Sequence, residues 1–191
     1  MNQATHRAPA HGTSPDSWRL FFALDPSPAL RQRLSAHAAC WRWNERSRPV
    51  AQHKLHLTLL FLPRVEPANL PALLRLGASA ASAHRGCLLC LDHAEVWPGG
   101  IAHLAPSTVP AQLQALHDAL LRGARDLHVG CDSRAWHPHL TLARRAEPEQ
   151  APRSFDALRW QVRGLSLQRS VLGSGRYERL GQWLLSGAAE L

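Results

Sequence analysis

The tetrapeptide His-Leu-Thr-Leu occurs twice in this chain, as His56 to Leu59 and as His139 to Leu142. Both copies sit in runs, residues 54–62 and 137–144, that read as β-strands. A strand sends alternate side chains to opposite faces. His56 and Thr58 therefore share one face while Leu57 and Leu59 take the other. The second copy repeats this with His139 and Thr141 against Leu140 and Leu142. Each strand anchors itself in a core by its leucines and presents an imidazole beside a hydroxyl on its other side. Two such strands, brought together, hold two histidines and two threonines around one small anionic group.

The rest of the chain reads as an alternation of strands and helices. Residues 18–24 are aromatic-rich and apolar, and Asp25-Pro26 ends them as a central strand. Ser27 caps a helix with Pro28 at its first position, running to about Cys40, with Leu30, Leu34, Ala38 and Trp41 on one stripe. Residues 48–51 suggest a short strand, 63–71 a turn region and 71–83 a second helix. Residues 87–97 and 100–105 read as a strand pair joined at Pro98-Gly99-Gly100. Residues 109–127 give the clearest helical pattern, with Leu113, Leu116, Leu120 and Leu121 on one side. Pro148 and Pro152 mark a loop, and residues 160–169 and 177–185 read as closing strands. This order, with the motif repeated once in each half, predicts an α+β fold. It has two pseudo-symmetric lobes, each an antiparallel sheet backed by helices, with a cleft between them. Residues 1–17 are polar and hold Pro9, Gly12 and Pro15. They read as a disordered tail, leaving residues 18–191 as a single bilobal domain.

No run approaches the roughly 20 apolar residues that span a bilayer, and the N-terminus lacks the apolar stretch of a signal peptide. The formal charge is +8, and Lys54 is the only lysine among the 22 basic residues. Arg7 and Asp16 cancel within the tail, so the excess belongs to the folded part. Arginine forks suit phosphate oxygens and a basic field steers polyanions, but these arginines are scattered, and an Arg-rich composition explains them as well. The four cysteines include a Cys87-Leu-Leu-Cys90 run in a strand-like setting. Its two sulfurs would point to opposite faces, and no second pair completes a zinc site. Buried free thiols are expected.

An imidazole pair near its ordinary pKa of about 6.5 can hold one neutral ring as base and one protonated ring as acid. Phosphodiester hydrolysis needs both, and the threonine hydroxyls can donate to the non-bridging oxygens where charge collects. A metal reading is also open, through His137 and His139 joined by His56 or His103. Against it, neither motif strand contains a carboxylate, and Pro138 divides the two histidines. Trp97, Phe61 and Tyr177 fit either core packing or stacking on a base.

The paired motifs resemble those of the 2H phosphoesterase superfamily, which is defined by two His-x-Thr/Ser-x motifs. Within it the chain is similar to the bacterial RNA 2′,3′-cyclic phosphodiesterases, also called 2′-5′ RNA ligases. The similarity extends to the opening strand from Arg19 to Asp25, to the Pro138-His139 pair with its trailing Arg144, and to Gly175, Arg176, Tyr177 and Leu180. The resemblance implies His56 and His139 as the catalytic pair, with Thr58 and Thr141 binding phosphate. Arg144 takes the family's arginine position, although strict alternation turns it away from His139. His137 is not the family's catalytic histidine. Pro63-Arg64 replaces a loop that often carries glycine and is expected to alter the cleft rim. The implied activity is opening of an RNA 2′,3′-cyclic phosphate to a 2′-phosphate, without metal or cofactor. The implied partner is RNA with cyclic phosphate ends, tRNA fragments among them, acted on by a cytoplasmic monomer. Joining of RNA ends through a 2′-5′ linkage, another small cyclic diester and a degenerate RNA-binding site stay open as alternatives.

Overall fold

The computed structural model describes residues 17–187 except 133 and 172. The expected tail, apart from Ser17, lies outside these residues. In chain order the strands and helices are β1 (Trp18–Leu24), α1 (Pro28–Ala38), β2 (Arg48–Pro49), β3 (Leu57–Val65), α2 (Leu70–Ala83), β4 (Cys87–Leu91), β5 (His93–Trp97) and β6 (Ile101–Ala105). They continue as α3 (Ala111–Asp126), β7 (Leu140–Arg144), β8 (Leu158–Val162), β9 (Gly164–Val171) and β10 (Arg176–Leu184). The Ser27 hydroxyl accepts from the Leu30 amide at 3.3 Å, so α1 starts as its sequence dictates. Among the described residues no helix is long and apolar enough to cross a membrane.

The strands run β10-β9-β1-β3-β7-β6-β5, with β2 beside β7, and every pairing is antiparallel. This α+β arrangement is two half-sheets that meet at one point. Long ladders join β10 to β9, β9 to β1 and β1 to β3, but β3 and β7 share a single residue pair, Leu57 with Leu140. Helices α2 and α3 pack together, α2 against β9 and β10 and α3 against β3. Leu113, Leu116 and Leu120 of α3 are buried, as their spacing predicts. Helix α1 leaves β1 and lies by β8 in the other half.

Two expected strands are each two strands. Residues 87–97 break at Asp92, so that β4 pairs with β8 in a separate two-stranded sheet while β5 pairs with β6. Residues 160–169 break at Arg163, between β8 and β9. In both places the chain changes sheets without a Gly-Pro turn, which hydropathy alone does not mark. The predicted turn at Pro63 is also displaced, because β3 continues to Val65. Cys87 is the buried thiol. Cys40 is exposed and Cys90 and Cys131 are partly so, which corrects the expectation that all four are buried.

Candidate active site

The antiparallel pair Leu57–Leu140 makes a local pseudo-twofold axis. Both leucines are fully buried. One step along each strand, the antiparallel register turns His56 toward Thr141 and Thr58 toward His139. All four line one cleft of about 480 Å³, together with Arg144. The two halves thus contribute one motif each.

Both rings are oriented by the same local bond. His56 Nδ1 lies 2.7 Å from the Lys54 carbonyl, and His139 Nδ1 lies 2.8 Å from the His137 carbonyl. A carbonyl only accepts, so Nδ1 carries the hydrogen. The nitrogen left for proton transfer is Nε2 in each ring. Both histidines lie just ahead of the assigned strands, where the backbone is free to turn its carbonyl onto the ring two residues on. Phe21 packs at 4.9 Å from His56, and Trp97 at 4.4 Å from His139.

Burial holds both imidazoles below their ordinary pKa, and the bonds to Lys54 and His137 work in the opposite direction. Their other neighbours differ. The Asp25 carboxylate favours protonation of His56, partly offset by His139 and Arg31. Arg144, His137 and Arg134 all disfavour protonation of His139.

Arg144 reaches the cleft despite strict alternation, because β7 carries a bulge. Ala102 pairs with Ala143 but His103 pairs with Thr141, so β7 has one more residue than β6 here. Leu142 and Ala143 are consecutively buried, and Arg144 returns to the face of Thr141. β3 does the same. Phe22 pairs with Leu60 and Ala23 with Thr58, Leu59 and Leu60 are both buried, and Phe61 returns to the cleft. The internal repeat therefore extends three residues beyond each threonine, to Phe61 in one strand and Arg144 in the other.

Arg19, Arg48 and Lys54 also line the cleft, and no carboxylate does so among the described residues. Sequence reasoning assigned them no role. A signal existed for Arg19, which alternates with Phe21 against buried Leu20 and Phe22. Tyr177 lines the cleft at 5.4 Å from His56, and Trp97 contacts His139. His137 lies outside this cleft, in an adjoining cavity, and Pro63 and Arg64 line neither. Among the described residues no three His, Cys, Asp or Glu side chains are grouped to hold a metal ion.

Residues 26–173 match the model of the 2′-5′ RNA ligase superfamily. The chain belongs to this superfamily. Its relatives include the RNA 2′,3′-cyclic phosphodiesterase of Escherichia coli, 33% identical over 174 residues, covering 88% of this chain and 97% of the relative. The RNA 2′,3′-cyclic phosphodiesterase of Thermus thermophilus is 30% identical over 168 residues, with 81% and 82% covered. The crystal structure of E. coli LigT complexed with 3′-AMP superposes with a TM-score of 0.79 at 31% identity, covering 88% of this chain and 98% of that one. The protein is a phosphoesterase of this 2H fold.

Proposed function

We propose that the protein hydrolyses RNA 2′,3′-cyclic phosphate ends to a 2′-phosphate and a free 3′-hydroxyl, using two histidines and no metal. The observation that carries this reading is the pairing of the two motifs about Leu57 and Leu140, which brings both imidazoles to one basic cleft. The names of the two curated relatives support the substrate, and LigT crystallised with 3′-AMP is itself a nucleotide complex.

In this reading His139 Nε2 takes a proton from water as its oxygen bonds to phosphorus. The bond from phosphorus to O3′ breaks, and O3′ takes the proton of His56 Nε2. The phosphate stays on O2′, and exchange with solvent restores both rings. The assignment follows the charged neighbours, since Asp25 favours the imidazolium of His56 and Arg144 favours neutral His139. Thr58 and Thr141 donate hydrogen bonds to the non-bridging oxygens, and Arg144 neutralises the charge that collects there. The protein acts as a monomer on RNA ends in the cytoplasm.

The test is incubation of an RNA bearing a 2′,3′-cyclic end in excess EDTA, followed by location of the product phosphate. A 2′-phosphate formed at an undiminished rate is expected. A 3′-phosphate, or activity that EDTA abolishes and zinc or manganese restores, would overturn the reading.

A further inference from the structure

We propose that Trp136 is a positioning residue for the reaction, its indole N–H fixing Thr58 against His139 where the two half-sheets share no ladder. This rests on the proposed function, in which Thr58 donates to the phosphate that His139 acts on.

The need arises at the junction. β3 and β7 share the single pair Leu57–Leu140. On one side of that pair β2 continues the pairing with β7, and the Val50 amide donates to the Leu142 carbonyl at 2.7 Å. On the other side β3 runs on to Val65, and among the described residues no strand lies along this edge beyond Leu57. Continuing the antiparallel register sets Pro138 opposite Leu59. A proline has no N–H to give, so the segment before His139 cannot extend the ladder at that point. β3 also carries its bulge between Thr58 and Leu60, which interrupts its ladder with β1 in the same place. Backbone pairing is therefore weakest where β3 carries a residue of the site.

Other donors take the place of the missing ladder. Trp136 Nε1 donates to the Thr58 carbonyl at 3.1 Å. His117 Nδ1 lies 2.8 Å from the Leu59 carbonyl and must carry the hydrogen, since a carbonyl only accepts. The Asp132 amide donates to the Phe61 carbonyl at 3.3 Å. Three carbonyls of this stretch of β3 are thus satisfied without a strand partner. The first two donors also brace each other, because the Trp136 ring stacks on His117 at 4.2 Å with planes 4° apart. His117 is buried on α3, in the same row as buried Leu113, Leu116 and Leu120. The helix therefore aims the indole. Trp136 stands three residues before His139, so its bond joins the segment leading to the base with the residue that donates to the phosphate.

The test is a double-substitution cycle on the full chain, pairing Thr58→Ala with Trp136→Phe, which keeps a ring to stack and drops the N–H. It is read on kcat/KM for an RNA 2′,3′-cyclic end and on the affinity for inorganic phosphate by titration calorimetry. Alone, Trp136→Phe should lower both by roughly 2- to 12-fold, the equivalent of one hydrogen bond. In the Thr58→Ala background it should cost less than about twofold, because the group it positions is gone. A tryptophan with a structural role only would lower the midpoint of urea unfolding, and its losses would multiply with those of Thr58→Ala. Losses that multiply would overturn the proposal, and so would a Trp136→Phe variant unchanged in both readings. His117→Gln gives a second arm, since its amide can still donate to the Leu59 carbonyl but offers the indole no ring. Its loss should also vanish in the Thr58→Ala background, and this arm decides by the same rule if Trp136→Phe does not fold. A failure to hydrolyse RNA cyclic ends would strike the proposed reaction and leave the phosphate cycle to stand on its own.

Discussion

At the scale of single residues, the two imidazoles are alike in geometry and unlike in charge. Each is oriented through Nδ1 by the carbonyl two residues back, yet Asp25 acts on His56 and Arg144 on His139. Replacing either with Ala should cost roughly 10²–10⁴-fold on an RNA cyclic end. The two variants should part on a diester whose leaving group is p-nitrophenolate, which departs without a proton. His56→Ala should recover most of its loss there, and His139→Ala should recover little. The opposite pattern would reverse the acid and base assignments. His137→Ala should cost far less than His139→Ala, since His137 lies outside the cleft. The motif histidines and threonines were legible in sequence because period-two alternation places them reliably. Arg144 was legible only through the family resemblance and not through alternation, because a bulge is set by the register of the neighbouring strand, which local sequence does not encode.

At the scale of elements, the catalytic geometry depends on a short turn that α1 braces. Residues Gln52–Lys54 form a 3-10 turn immediately before His56. Arg31 of α1 donates from Nη1 to the carbonyls of Gln52 at 2.8 Å and Leu55 at 2.9 Å, and from Nε to that of Pro26 at 3.0 Å. It therefore clamps both ends of the turn whose Lys54 carbonyl orients His56. Arg31→Ala should lower stability by about 1.5–3 kcal/mol, the range for hydrogen bonds from a charged donor. It should also speed hydrogen exchange at the Lys54 and Leu55 amides, which bond to Ala51 and Gln52. Unchanged protection at those amides would show that the turn stands without Arg31. Helix α1 itself was legible from Ser27, Pro28 and its leucine spacing. Its placement beside β8 and the Gln52–Lys54 turn was not, because nothing local to a helix specifies which sheet it covers. The same holds for the sheet changes at Asp92 and Arg163. Each joins two runs of ordinary strand composition, and only distant partners decide where one ladder ends and the next begins.

At the scale of the whole molecule, a set of histidines withdrawn from water links the fold to pH. Burial is the leading cause that lowers the pKa of His37, His56, His103 and His139. Three of them belong to the site or its wall, with His103 nearly inaccessible and its ring 5.6 Å from that of His139. In the unfolded chain these rings protonate near pH 6.5. In the folded chain they do so at lower pH, so unfolding takes up protons across the interval between. Their contribution to stability is complete above about pH 6.5 and is lost as pH falls through the folded values. Asp92 and Asp132 are held below the ordinary carboxylate range by hydrogen bonds from Ser107 and Arg134, so their loss comes at still lower pH. The midpoint of urea unfolding should therefore be lower at pH 5 than at pH 7.5, with the fall lying between the two. Inorganic phosphate in the cleft should raise the midpoint more at pH 5 than at pH 7.5, because an anion favours the imidazolium forms that acid produces. A midpoint that climbs on acidification would mean that these rings are held protonated in the folded protein, against the lowering that their burial imposes.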